Sequence, residues 1–485
     1  TSLLNDILDM ELEPDDTSID VLEDNLEDIS NYLFDNMYNK KLILCYGNLW
    51  FKSNNGWTNN PKKIEKCIMN QLFNFKLYKN TEKGVCLIQA LSDYKEIYSF
   101  ISIKSVENDK LLDEIRVFCM GKLFFKNGYY DIKTDKFVKS NDFNTLKRIE
   151  KDFIEEDIHD DKHRKHINFI YEKVLNPIFT CENNKTREQL RDNFLYNMAR
   201  SLFGFYQDKN WFTMDGPRDC GKGMLCELIQ KTFENYAGVM NGENLLFSKG
   251  DSKDQAKARS FLLDLIGKRL VLCNEMSVDK GSYIDGNKIK SFCSGGDTII
   301  ARKNFQDEQY FTLECGLMIL VNDLVDIKPA DAKEHQTAYY MNSKFLTPED
   351  YEIKKPTEGK VFKFYKRDDF LKNKMSEDKI QMAFIHIIID SFNKGSISYP
   401  KELIKQIETD SVDDYKTFYD LFEFNSSSNL LLKDIVAKCS MEGLLFQMKK
   451  IKQLLIDKGL IFKKTSKGQT CFNISFKKLD FEDSD

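Results

Sequence analysis

Hydrophobic positions along the chain follow three kinds of pattern, and their order predicts the architecture. Three short runs, 211–214, 270–273 and 317–321, are apolar throughout, or nearly so. Runs of that length suit strands buried on both faces, as in a parallel sheet. Earlier, between about residues 40 and 140, apolar and polar positions mix around hairpin-type turns at Gly47-Asn48, Asn54-Asn55-Gly56 and Asn127-Gly128. That predicts a mixed α/β domain of structural or docking character, since nothing in its hairpins assembles an acid, base or nucleophile.

The third pattern is helical. Leu190, Phe194, Met198 and Leu202 recur at every fourth position, and Gly204 ends the run. This stripe reads either as a collar that packs neighbouring subunits or as an ordinary bundle core. Residues 380–392 form a strongly apolar helix in which His386 is packed rather than chemical. After Ser426-Ser427-Ser428 come two helices, 430–439 and 444–457, a stop at Gly459, and a strand–turn–strand to 476. Residues 1–30 read as an acidic, partly disordered lead-in with one short amphipathic helix near 19–29.

At 485 residues the chain has room for about three domains. No apolar run reaches the roughly 18 residues a membrane span needs. The N-terminus is acidic and lacks the basic-then-apolar order of a signal peptide. It opens on Thr1, as a processed product or a fragment lacking upstream domains would. Twelve scattered cysteines with no CxxC pair fit a reducing, intracellular compartment. His159, His163 and His166 have the spacing to share one helical face as metal ligands, although a solvated, charged helix start explains them more simply. Net charge is −6, unevenly spread. Residues 1–30 hold eleven acids and no Lys or Arg, whereas 430–478 hold eleven lysines against three acids. A basic module on an acidic chain is a candidate nucleic-acid footprint.

Candidate chemistry centres on the segment after the first apolar run. Gly216 is followed, after Pro217, Arg218, Asp219 and Cys220, by Gly221-Lys222, which has phosphate-loop spacing, with a helix predicted from Lys222 through Gly223 and Met224. Glycines turn backbone N–H groups toward a phosphate, the helix N-terminus adds its dipole, and the lysine reaches the outer phosphates. Gly223 stands where a Ser or Thr hydroxyl usually binds Mg²⁺. The run 270–273 delivers Asn274-Glu275 at its carboxyl end, where a carboxylate can activate water and hold Mg²⁺ through water. Gly295-Gly296-Asp297 then leads a strand bearing Arg302 and Lys303. That hairpin either grips a nucleic-acid backbone or is a solvated surface turn. Run 317–321 ends in Asn322, a candidate sensor of the γ-phosphate.

That order of motifs (GPRDCGKG, LVLCNE, GGDTIIAR, ILVN) resembles superfamily 3 helicases, the AAA+-like ATPases of DNA viruses and plasmids. GKLFFKNGYYDIKTDKF is similar to the N-terminal domain of the poxvirus-type helicase–primase nucleoside triphosphatases. The resemblance covers about residues 40–345. It implies a ring, a homohexamer, that binds ATP between subunits and moves on DNA through its pore. Lys222 would then bind phosphate, Glu275 activate water, Asn322 sense the γ-phosphate, and Arg302 and Lys303 face DNA. It also implies host cytoplasm or nucleus as the site of action and a primase among possible partners. Two departures stand out: Gly223 itself, and the absence of an arginine finger shortly after motif C, where PADAKEHQTAYYMNSKF has none. Beyond Arg302 the sole arginine is Arg367, and such fingers supply about 10³-fold or more in rate. Lys333, Lys344 or Arg367 could substitute, the two lysines without the guanidinium fork.

The expected layout is a multi-domain α/β chain: lead-in 1–35, mixed α/β domain 36–155, helical collar 156–205, AAA+-like parallel-sheet ATPase core 206–350, helical connector 351–425, and a C-terminal module 426–485 that resembles a winged helix. Lys449, Lys450 and Lys452 on its second helix and Lys463, Lys464 and Lys467 on its hairpin are candidate DNA contacts. The leading expectation is an ATP-dependent DNA helicase, or the helicase part of a helicase–primase, using ATP and Mg²⁺. The alternative is a degenerate nucleotide-binding scaffold with little turnover. A packaging motor shares the loop but would not predict the Gly-Gly-Asp hairpin together with this N-terminal domain.

Overall fold

The computed structural model describes residues 20–155, 161–181, 183–206, 208–247, 255–273, 283–303, 308–321, 327–357, 363–401, 403, 418–441, 448–466 and 468–477. The chain forms two compact units, one up to Ser398 and one from Tyr399.

At the centre of the first unit is a five-stranded sheet of β1 (Trp211–Asp215), β2 (Ala237–Met240), β3 (Leu270–Cys273), β4 (Gly316–Val321) and β5 (Gln336–Tyr340). Its order is β2-β3-β4-β1-β5, with every neighbouring pair parallel. The three inner strands are wholly buried, which is why they read as continuous apolar runs. The edge strands do not read that way. Val239 of β2 is exposed and β5, QTAYY, is mostly half-buried.

Helix α1 (Asn184–Leu202) carries the expected stripe, and Leu190, Phe194, Met198 and Leu202 are all buried. Asn183 caps it, its side chain accepting from Thr186 N at 2.8 Å. The stripe is spent within this chain. Phe194 meets Tyr339 of β5 edge-on, ring centroids 5.1 Å apart. A Cβ on Gly316 of β4 would lie 2.3 Å from Ser201 Oγ, so helix and sheet touch there. Two further helices, α2 (Lys222–Phe233) and α3 (Asp378–Asn393), pack with it. Phe392 of α3 stacks on Tyr196 and Phe205, and Phe384 packs on Phe233. His386 is buried in α3, stacked on Phe153 and hydrogen-bonded through Nε2 to Ile154 O.

The N-terminal part is α/β. It has strands Leu42–Cys45, Asn48–Ser53 and Gly56–Thr58 and a meander of Lys122–Phe125, Gly128–Asp131 and Lys136–Lys139. The predicted turns at 47–48, 54–56 and 127–128 separate those strands. One expectation is corrected. Residues 20–23, read as part of a helix, form a strand parallel to Lys76–Thr81. The helix starts only at Leu26, where Asn25 Oδ1 accepts from Asp28 N at 2.9 Å.

In the second unit, strand β6 (Phe422–Leu431), helices α4 (Leu432–Met441) and α5 (Met448–Asp457), and strands β7 (Phe462–Thr465) and β8 (Gly468–Phe476) follow in order. The sheet is β6-β8-β7, antiparallel throughout. Ser426-Ser427-Ser428, read as a boundary, lies inside β6. The serines fall where its register against β8 shifts between Phe424 and Asn429. Pairing resumes at Asn429, whose Oδ1 also accepts from Asn473 N at 3.2 Å.

Candidate functional site

The carboxyl end of β1 opens into the glycine loop, and α2 starts at Lys222, as the spacing predicts. Both loop glycines are required by close approach. A Cβ on Gly216 would sit 2.9 Å from Cys220 Sγ and Met341 Cβ, and one on Gly221 2.7 Å from Ile178 Cγ1. Gly221 also has φ +96°, which an L side chain adopts only under strain. Position 223 is different, since nothing lies within 4 Å of a Cβ there.

The loop is tied from behind. Gly216 N donates to Val321 O at 3.3 Å, Met341 N to Asp215 O at 2.7 Å and Phe345 N to Asp219 O at 2.8 Å. Ser343 Oγ donates to Cys220 O at 3.2 Å. Arg218 and Asp219 are exposed at the tip, Gly216 and Pro217 half-exposed, and Met224 half-buried in the first turn of α2.

Lys222 is buried, 4% exposed. Its Nζ donates to Gly216 O at 2.6 Å and Pro217 O at 3.3 Å, with Cys220 Sγ at 3.5 Å. Its neighbour Asp215, which the sequence reading did not single out, is buried with neither carboxylate oxygen hydrogen-bonded. Burial pushes its pKa up to about 6, against the opposing influence of the Thr213 hydroxyl and the Lys222 charge. An acid ending an otherwise apolar strand directly before the loop was the available signal.

Glu275 and Asn322 lie outside the described residues. The strands that lead into them, β3 and β4, are neighbours, with Cys273 opposite Ile319. The basic hairpin is Ile299–Ala301 paired antiparallel with Gln309–Phe311. Arg302 is half-buried and Lys303 Nζ pairs with Asp264 at 2.8 Å. Lys452, Lys463 and Lys464 belong to the second unit. Lys452 lies over the Phe462 ring and Lys463 over Phe472, while Lys464 is exposed. Lys449 and Lys450 are in α5 with side chains outside the described part, and Lys467 is outside it altogether. Arg367, the last arginine, is half-exposed and pairs with Asp369 at 2.7 Å.

The histidine reading changes. His163 is buried and meets His386 edge-on at 4.7 Å, so this helix start is not simply solvated. Among the described residues no group of three or more His, Cys, Asp or Glu could hold a metal ion, and His159 lies outside them. Among the described residues, too, no helix is long and apolar enough to cross a membrane.

Comparison with known proteins adds three findings. Residues 214–337 match a family of unknown function, DUF5906. The chain is 26% identical over 381 residues to the Sputnik virophage protein named "Putative helicase V13", covering 76% of this chain. It spans about half the length of that relative, 46%. Two solved structures of the NrS-1 C-terminal region align over 93% and 92% of this chain and 98% and 99% of theirs, each at a TM-score of 0.39 and at 12% and 13% identity. The likeness by sequence is thus to a viral protein bearing a helicase name.

Proposed function

We propose that this chain is the ATP-binding motor part of a viral replicative DNA helicase, of superfamily 3, AAA+-like type. The observation that carries the reading is the loop between β1 and α2, set at the carboxyl edge of a parallel β2-β3-β4-β1-β5 sheet with a buried lysine folded over it. Ligands of open parallel sheets bind at that edge, and the similarity to a virophage protein of helicase name agrees with it.

The residues present suit a nucleotide phosphate. Backbone N–H groups at the start of α2 face the loop, and Lys222 exchanges its carbonyl partners for phosphate oxygens. Magnesium fits less completely, because Gly223 offers no hydroxyl. A carboxylate must take that place, and Asp215, buried and without a hydrogen-bond partner, joins Glu275 as a candidate. Glu275 orients the attacking water and Asn322 senses the γ-phosphate. The motor works as a homohexamer that encloses DNA, contacted by Arg302 and Lys303, in host cytoplasm or nucleus beside a primase. The C-terminal unit acts as a winged helix that holds duplex DNA. Gly223 and the lack of an arginine finger favour a second reading, a nucleotide-binding scaffold with little turnover.

DNA-stimulated ATP turnover of the purified chain, measured beside Lys222→Ala and Glu275→Gln, tests the choice. Equal turnover in all three proteins would sink the motor reading. Tight nucleotide binding without turnover in the unaltered chain selects the scaffold.

A further inference from the structure

At the other edge of the sheet lies a second concave site. Gly267, Lys268 and Arg269 lead into β3, and Thr312 and Glu314 precede β4, so the site sits at the amino ends of these strands, away from the loop. The N-terminal region closes it with Arg116 and with Thr145 to Lys147. The cleft is narrow and partly open to solvent.

Its lining is strongly basic. Arg116, Lys147, Lys268 and Arg269 line the cleft with one carboxylate, Glu314, and Arg116 is further paired with Asp113 at 2.9 Å, which leaves the two lysines as its unbalanced cations. Lys147 and Lys268 are half-buried, and their pKa values are lowered, first by burial and then by neighbouring lysines: Lys63 for Lys147, and Lys147 for Lys268, which falls to about 8. Asp264 offsets part of this at Lys147 but is already paired with Lys303. Behind them Arg269 is 6% exposed, held against Gly204, where a Cβ would lie 2.3 Å from its Nη1. That Nη1 has no hydrogen-bond partner, and Glu314 Oε2 stands 3.7 Å away. Glu314 thus balances the Arg269 charge without completing its hydrogen bond, and among the described residues Lys268 Nζ donates only to Ala237 O at 3.3 Å, so both cations keep donor capacity for a second anion.

We propose that this cleft binds the phosphodiester backbone of single-stranded nucleic acid, with Lys147 and Lys268 on the phosphate and Arg269 behind them. A chain fits better than a mononucleotide because the cations continue past the cleft. Lys63 extends them beyond Lys147, and Lys303 lies across Asp264 at the foot of the basic hairpin. The site is separate from the nucleotide loop and shares only Lys303 with the function proposed above, so the ATP-binding readout below distinguishes the failure of one from the failure of the other.

The test uses the full chain and a fluorescein-labelled oligothymidylate, with anisotropy read across a salt series. Lys147→Gln with Lys268→Gln should weaken binding about tenfold near 0.1 M salt and flatten the slope of log affinity against log salt by about 0.7 per lost contact. Lys147→Arg with Lys268→Arg should restore both. Lys63→Gln, at an exposed position that cannot compromise folding, should flatten the slope by itself. ATP binding should be unchanged in all of these, whereas Lys222→Ala should lose it and keep the oligonucleotide. Unaltered oligonucleotide affinity and slope in the glutamine variants and in Lys63→Gln overturns the proposal. So does a loss that arginine fails to restore. Calorimetric binding of inorganic phosphate that the double glutamine variant abolishes, with oligonucleotide binding intact, also overturns it and makes this a free-phosphate site.

Discussion

Lys222 Nζ lies 2.6 Å from the carbonyl oxygen of Gly216, the residue that opens its own loop. The ammonium therefore closes the loop on itself, and a phosphate must draw it off Gly216 and Pro217. Lys222→Ala removes both the ligand contact and this internal tie. Nucleotide affinity should fall at least tenfold, and stability by about 1.5–3 kcal/mol, the usual worth of a charged hydrogen bond. A fluorescent ATP analogue and a denaturant titration read the two effects separately.

Restoring a hydroxyl should be tolerated at Gly223. A Cβ there meets nothing within 4 Å, and the position is in the first turn of α2. Gly223→Ser should leave stability unchanged or raise it by about 0.5 kcal/mol through helix propensity. It should also increase Mg²⁺-dependent turnover. A Mg²⁺ titration of ATPase rate is the measurement, and a rate below that of the unaltered chain would exclude Mg²⁺ binding at this position.

Asp215 sets a pH dependence. Its pKa is raised from 3.8 to about 6 in the folded chain, so between those values the native state holds more protons than the unfolded one. Stability from this group is full below pH 4 and declines as pH rises through 6, by about 3 kcal/mol in all. Asp215→Asn should therefore raise the melting temperature at pH 8, with the gain disappearing near pH 4.5. Thermal unfolding of both proteins at the two pH values checks the sign, and equal shifts at both would refute it.

Gly221→Ala combines a forbidden φ with a 2.7 Å contact on Ile178. It should destabilise the chain by about 1–3 kcal/mol. Ile178→Ala opens a cavity of its own, so the comparison is made within that background, where adding Gly221→Ala should cost less by the steric share only. No added cost there, in denaturant unfolding, would show that the loop can abandon its left-handed turn.

In the second unit, replacing Lys449, Lys450, Lys463 and Lys464 with alanine should weaken duplex binding and reduce its salt dependence, each lost phosphate contact removing about 0.9 from the slope. A salt series with labelled duplex measures it, and an unchanged slope counts against DNA as the partner.

The inner strands and the loop were legible because burial on both faces leaves an unbroken apolar run, and because the glycines sit where no side chain fits. Strands β2 and β5 were not, since an edge strand with one wet face, such as the half-buried Gln336 and Thr337, reads as mixed text. Asp215 was passed over because its significance comes from missing hydrogen-bond partners, a property of the packed state and not of the letter. The Lys147–Lys268 cleft was equally hidden, as it joins positions more than a hundred residues apart. The serines of β6 misled for a local reason: a strand with a register shift tolerates a polar run that usually marks a linker.

The ties from Met341, Ser343 and Phe345 reach one side of the phosphate loop only. Asp215, Asp219 and Cys220 are stitched to that later stretch of chain, while Pro217 and Arg218 have no such stitch. The back of the loop is consequently held by backbone bonds while its tip is not. Displacing Asp215, Asp219 or Cys220 would break bonds to residues 341–345, which lead into the strand Ser343–Leu346 and its parallel pairing with Lys363–Lys366, so the loop's back and that strand pair form one bonded unit.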